Sequence, residues 1–147
     1  MAVTTSAVHG GAGLLAQKTF DHLLTTIRAA VASGPAPLSD KEWRTLERAY
    51  AVLRELCLYY AALVASGSAV ITYPVKHEIL TRIRTLYVEL AEVRRAKVEL
   101  SEDPWYDVEE NSAPTIRTWI QAHNDTVTHY GKEESSYIVA PLPPPQT

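Results

Sequence analysis

The sequence predicts an all-α fold: an antiparallel up-down-up-down four-helix bundle with extended N- and C-terminal arms. Three observations carry this expectation. Two long segments, residues 43–64 and 79–100, repeat apolar side chains in alternating steps of three and four, and a short turn joins them. Residues 14–33 and 113–130 show the same spacing. Glycine- and proline-rich stretches sit at the two ends of the chain and between these segments, where they punctuate rather than interrupt.

Residues 1–13 are small, polar and glycine-rich, the composition of a flexible arm. The first helix is expected over 14–33, with Ala16, Phe20, Leu23, Ile27 and Ala30 on one stripe and Leu24 and Val31 flanking it. Gly34 suits the left-handed position that ends a helix, and Pro35 and Pro37 forbid continuation. The second helix, 39–66, opens on a capping box. Ser39 and Glu42 can each satisfy the other's orphan amide, with Leu38 and Trp43 placed as a hydrophobic staple and Asp40 at the positive end of the dipole. Its stripe is Trp43, Leu46, Tyr50, Leu53, Cys57, Tyr60 and Val64, widened by Ala49, Leu56 and Leu63, and Gly67 stops it.

Pro74 fits the first turn of a third helix over 74–100. Ile79, Ile83, Leu86, Leu90, Val93, Lys97 and Leu100 form its stripe, flanked by Leu80, Tyr87 and Val98, and Lys97 is expected to snorkel to water near one end. Glu78 and Arg82 make a helical pair in the favourable orientation. An acidic loop then carries the adjacent rings Trp105 and Tyr106. Ser112 caps a fourth helix over 113–130, with Pro114 in its first turn and Ile116, Ile120, His123, Val127 and Tyr130 on its stripe. The bundle therefore occupies residues 14–131, and residues 132–147 form an extended proline-rich arm containing Tyr137, Ile138, Val139, Pro141, Leu142, Pro143 and Pro144.

Composition narrows the function classes. The chain has 147 residues, 46% of them apolar, and a net charge of -3, which argues against a protein that coats nucleic acid generally. Its single cysteine, Cys57, falls on an apolar stripe and reads as a structural thiol. No segment offers about 18 uninterrupted apolar residues for a membrane span, and the N-terminus lacks the basic start of a secretory signal. The expected location is the cytoplasm, or a particle assembled there.

Catalytic and metal signatures are sparse. No Glu-x-x-His occurs, so a ferritin-like dimetal bundle has no ligand set, and no metal or other cofactor is expected. Gly10, Gly11 and Gly13 precede a helix but lack the strand and lysine of a phosphate loop. Arg117 and His123, on the fourth helix with five residues between them, resemble the Arg-x(4–6)-His motif of HEPN-domain ribonucleases. That resemblance implies a dimeric helical ribonuclease in which His123 moves a proton and Arg117 holds phosphate; the alternative is a hydrogen-bonded core histidine and a surface arginine. Arg44, Arg48, Arg82, Arg84, Arg94 and Arg95 are candidate phosphate contacts, although interspersed glutamates also suit a solvated helix face.

The aromatics and the tail point to association instead. Tyr59 and Tyr60 are adjacent and cannot share one seam, so one of them faces outward. Trp105 and Tyr106 either seal a bundle end or anchor a partner. Residues 141–145 should form a polyproline II rod, and Tyr137, Ile138 and Val139 can lie in a neighbour's groove. The favoured expectation is a non-enzymatic structural subunit that self-associates through helix faces and terminal arms, such as a viral or phage coat, cement or scaffold protein. The alternatives are an adaptor that binds a protein through the Trp105–Tyr106 loop or the proline-rich tail, and the ribonuclease.

Overall fold

The computed structural model describes residues 16–66, 73–97, 105–130 and 135–144. The expected N-terminal arm (1–13), the start of the first helix (14–15), residues 67–72, 98–104 and 131–134, and the last three residues lie outside the described residues. So do Gly67, Val98, Leu100 and Gly131. Within them the chain is an all-α bundle of four helices and one 3-10 turn: α1 (Gln17–Ala32), α2 (Asp40–Ala65), α3 (Tyr73–Ala96), α4 (Trp105–Tyr130) and the turn Ser135–Tyr137.

Local rules account for the first two helices. In α1 the expected stripe is buried from Phe20 onward, with Phe20, Leu23, Leu24, Ile27 and Ala30 inside, while Ala16 stands exposed as the N-cap. The helix closes where the Ser33 amide reaches the Ala29 carbonyl and the Gly34 amide reaches the Val31 carbonyl, both at 3.1 Å. Gly34 has φ +73°, and a Cβ there would meet nothing within 4 Å, so it is the backbone angle rather than space that requires glycine. The capping box of α2 is complete. The Glu42 amide donates to Ser39 Oγ at 3.2 Å, and the Ser39 amide donates to Glu42 Oε1 at 2.8 Å. Leu46, Ala49, Tyr50, Val52, Leu53, Leu56 and Tyr60 are buried. Val64, expected on this stripe, instead stands in solvent.

Helix α3 is the organising element, packing against α1, α2, α4 and the 3-10 turn. Its apolar stripe is Ile79, Leu80, Ile83, Leu86, Tyr87, Leu90 and Val93, all buried. Two polar stripes flank it. Arg82, Glu89 and Lys97 meet α1 through Gln17, Arg28 and Ser33 respectively. His77 meets His123 of α4, Arg84 meets the tail, and Ala91 and Arg95 share a cavity with Ala113 and Arg117 of α4. At about 100° per residue these stripes lie on roughly opposite sides of α3. Thus α1 and α4 flank α3 instead of occupying neighbouring corners of a square. The same pairings ascend together along α1 and α3, which run parallel, and in opposite senses along α3 and α4, which run antiparallel. A ring contact between Tyr60 and Trp119, with centroids 4.9 Å apart, ties α2 to α4.

Two expectations are corrected here. Lys97 does not snorkel; it is 1% exposed, and its Nζ donates to Ser33 Oγ (2.8 Å), the Gly34 carbonyl (2.6 Å) and the Ala36 carbonyl (2.5 Å). Two of these acceptors are carbonyls of the loop that follows α1, which supply what water would otherwise supply, and the negative end of the helix dipole favours a cation there. Helix α4 begins at Trp105 and not at Ser112, so Trp105 and Tyr106 lie on a helix and not in a loop, and Pro114 lies inside it. A proline ten positions in leaves only the Glu110 carbonyl without its usual amide. Pro114 is exposed, and its own carbonyl accepts from Thr118 Oγ1 at 3.0 Å.

Candidate functional site

The most elaborated surface is the groove between α3 and α4, which holds the chain's own C-terminal segment. Residues 138–144 belong to no helix or strand, and their proline content favours polyproline II backbone. Polyproline II geometry has three residues per turn and no internal hydrogen bonds, so side chains three apart share a face and the carbonyls stay available. Val139 and Leu142, three apart, are 2% and 4% exposed, while Ile138, Pro141, Pro143 and Pro144 face solvent. The two anchors hold the segment down, and the prolines stiffen what lies between and beyond them.

Six side-chain hydrogen bonds then reach its main chain. Asn124 forms a matched pair with Val139, its Nδ2 donating to the Val139 carbonyl (2.8 Å) and its Oδ1 accepting from the Val139 amide (2.9 Å). His123 Nε2 donates to the Tyr137 carbonyl at 2.8 Å. Arg84 Nε donates to the Pro141 carbonyl at 3.1 Å. Arg117 donates twice, to the Leu142 carbonyl (3.2 Å) and the Pro143 carbonyl (2.7 Å). Asn124, one amide pointing both ways, does for Val139 what a neighbouring β-strand would do.

At the start of the segment, the Tyr137 ring stands edge-on to His77 at 5.6 Å, and His77 lies 6.3 Å from His123. Burial pushes the His123 pKa below its ordinary 6.5; the Tyr137 carbonyl opposes this, and nearby His77 and Lys76 reinforce it. Burial also lowers His77, against the pull of Glu78. Both shifts favour the neutral ring, and His123 carries a proton on Nε2, where the Tyr137 carbonyl receives it.

At the far end, a cavity of about 230 Å³ is lined by Tyr87, Arg94, Arg95 and Arg117 and walled on one side by Pro143 and Pro144. It is smaller than the about 300–1,000 Å³ of typical small-molecule sites. Two of its guanidinium groups have defined partners. Arg95 pairs with Glu92 and Arg117 holds the tail.

A second surface lies on the C-terminal half of α2. Leu58 is 58% exposed and Val64 46%, with Cys57, Tyr59 and Leu63 half-buried beside them. Tyr60 is buried in the core, and Tyr59 packs half-buried at the core's edge, as their adjacency requires. No charged residue occurs anywhere in positions 56–75. Burial raises the Cys57 thiol to about 11 and the Tyr60 hydroxyl to about 12.

The remaining candidates are dispersed. Arg117 and His123, the pair expected for a ribonuclease, both face the tail, and both ring and guanidinium are occupied by its carbonyls. Among the six candidate phosphate contacts, Arg82 is buried toward α1, 5.0 Å over the Phe20 ring and bonded to Gln17 at 2.9 Å. Arg84 holds the tail, Arg94 and Arg95 line the cavity, and Arg44 and Arg48 are exposed on α2. They do not form one strip. The side chains of Trp105 and Tyr106 lie outside the described residues. Among the described residues no cluster of three histidine, cysteine or acidic side chains could hold a metal ion, and no helix is long and apolar enough to cross a membrane.

The sequence named the tail as an interacting element and missed its seat. Asn124 in particular carried no signal, because a polar residue on a helix has no pattern that announces a partner fifteen positions downstream. Comparison with protein-family models, curated proteins and solved structures gives no match to this chain.

Proposed function

We propose that the protein is a non-enzymatic structural subunit that self-associates, and that the C-terminal half of α2 is the face through which copies meet. The observation that carries this reading is the exposure of Leu58 and Val64 within a stretch of 20 residues, positions 56–75, that has no charge. An uncharged stretch of helix with two large apolar side chains in solvent and three more half-buried beside them is the kind of surface that marks a protein contact. In a two-fold contact each surface meets a copy of itself, so a charged face would meet like charge, whereas an uncharged one pairs with itself without penalty. The face thus suits a second copy better than a partner selected by charge.

The test is the pair of substitutions Leu58→Glu and Val64→Glu, which place like charges opposite each other in such a contact and touch nothing in the core. The expected outcome is a fall in mass by light scattering at unchanged helical content by circular dichroism. Unchanged mass in the doubly substituted chain would overturn the assignment of this face. A coat, cement or scaffold protein is one setting in which such a subunit would serve.

A further inference from the structure

We infer that the α3–α4 groove accepts residues 137–144 of a second copy, so that neighbouring chains exchange C-terminal segments. This rests on the self-association reading, but it concerns a different surface from α2.

The seat is built to hold an extended chain and not merely to cover apolar surface. Six side-chain hydrogen bonds, from Arg84, Arg117, His123 and Asn124, go to main-chain atoms of the segment. Such contacts demand an extended backbone with its carbonyls unpaired, which polyproline geometry supplies without further ordering. Specificity comes from two apolar anchors three apart, Val139 and Leu142, and from the proline at 141 between them. Among extended peptides, the one whose fit is demonstrated is this segment, and every further copy of the chain carries it. Seating in cis and seating in trans make identical contacts, so little free energy separates them beyond the cost of bringing two chains together. Concentration then decides. A tethered segment competes at an effective concentration on the order of millimolar, a density that packing subunits into one assembly through α2 would approach.

Two chains test the exchange, both carrying Leu58→Glu and Val64→Glu so that the α2 face cannot contribute. The first also carries Val139→Asp and Leu142→Asp, leaving its groove intact and vacant. The second carries Arg117→Ala and Asn124→Ala, leaving its tail intact without a seat. Differently tagged, they are mixed and weighed by native mass spectrometry and light scattering. The expected result is a one-to-one heterodimer at least tenfold tighter than either chain with itself. A mixture that stays monomeric, with both chains folded by circular dichroism, would overturn the inference while leaving the α2 reading untouched. Should a double substitution unfold its chain, Val139→Ala with Leu142→Ala, or Asn124→Ala alone, replaces it, and the same readout decides.

Discussion

Single side chains carry more of this structure than their sequence context suggests. Lys97 sits at a position where the heptad pattern calls for an apolar residue, and it is buried there because three acceptors from the end of α1 surround its ammonium. Those acceptors lie 61 to 64 positions away in sequence, so no local pattern could have announced them. Lys97→Ala leaves the Gly34 and Ala36 carbonyls without their donor and opens a void, and should lower stability by about 3 kcal/mol in urea denaturation. A change below about 0.5 kcal/mol would show that the ammonium is not holding α1. The paired histidines give a prediction with a definite sign. Both His77 and His123 have folded-state pKa values below 6.5, so the unfolded chain binds more protons just below that pH. Stability should therefore be fully present above pH 6.5 and decline as pH falls through the lower folded values. A His123→Asn variant should show a shallower loss between pH 7 and pH 5 than the native chain, as read by chemical denaturation at each pH.

Helices were legible where their ends obey local chemistry. Ser39 with Glu42 and the glycine at 34 mark boundaries by hydrogen bonds made within a few residues, and the structure has both. Ser39→Ala should cost about 1 kcal/mol. The start of α4 was not legible, because Ser112 and Pro114 imitate a helix beginning so well that the acidic residues before them read as a loop. Pro114 is instead interior to a helix of 26 residues. Replacing it with alanine restores an amide for the Glu110 carbonyl. Pro114→Ala should therefore raise stability by about 1 to 2 kcal/mol, the gain in helix propensity being offset in part by a looser unfolded chain. A loss of stability in thermal or urea unfolding would mean that proline acts at that position as a helix start. The stripes of α3 show the other limit of local reading. Seven apolar positions predicted its core face, but the polar stripes through Arg82 and Arg84 reveal their different neighbours only once α1 and the tail are in place.

On the scale of the whole molecule, two surfaces among the described residues remain after the core is accounted for, and the proposed self-association uses both. The tail was readable as an arm from its prolines, yet its seat depends on Asn124, Arg117 and Arg84 converging from two helices, which no single segment encodes. The α2 face was readable only in outline, through Tyr59 and Tyr60; that Leu58 and Val64 stay uncovered depends on which sides of α2 its neighbours occupy. The most direct test of the central claim is the solution mass of the full chain by light scattering, followed over concentration beside the Leu58→Glu, Val64→Glu chain. A multiple of 16.3 kDa is expected for the native chain, and a lower mass for the substituted one at equal concentration. A native chain that stays at 16.3 kDa into the high micromolar range, or two folded chains of identical mass, would contradict that claim.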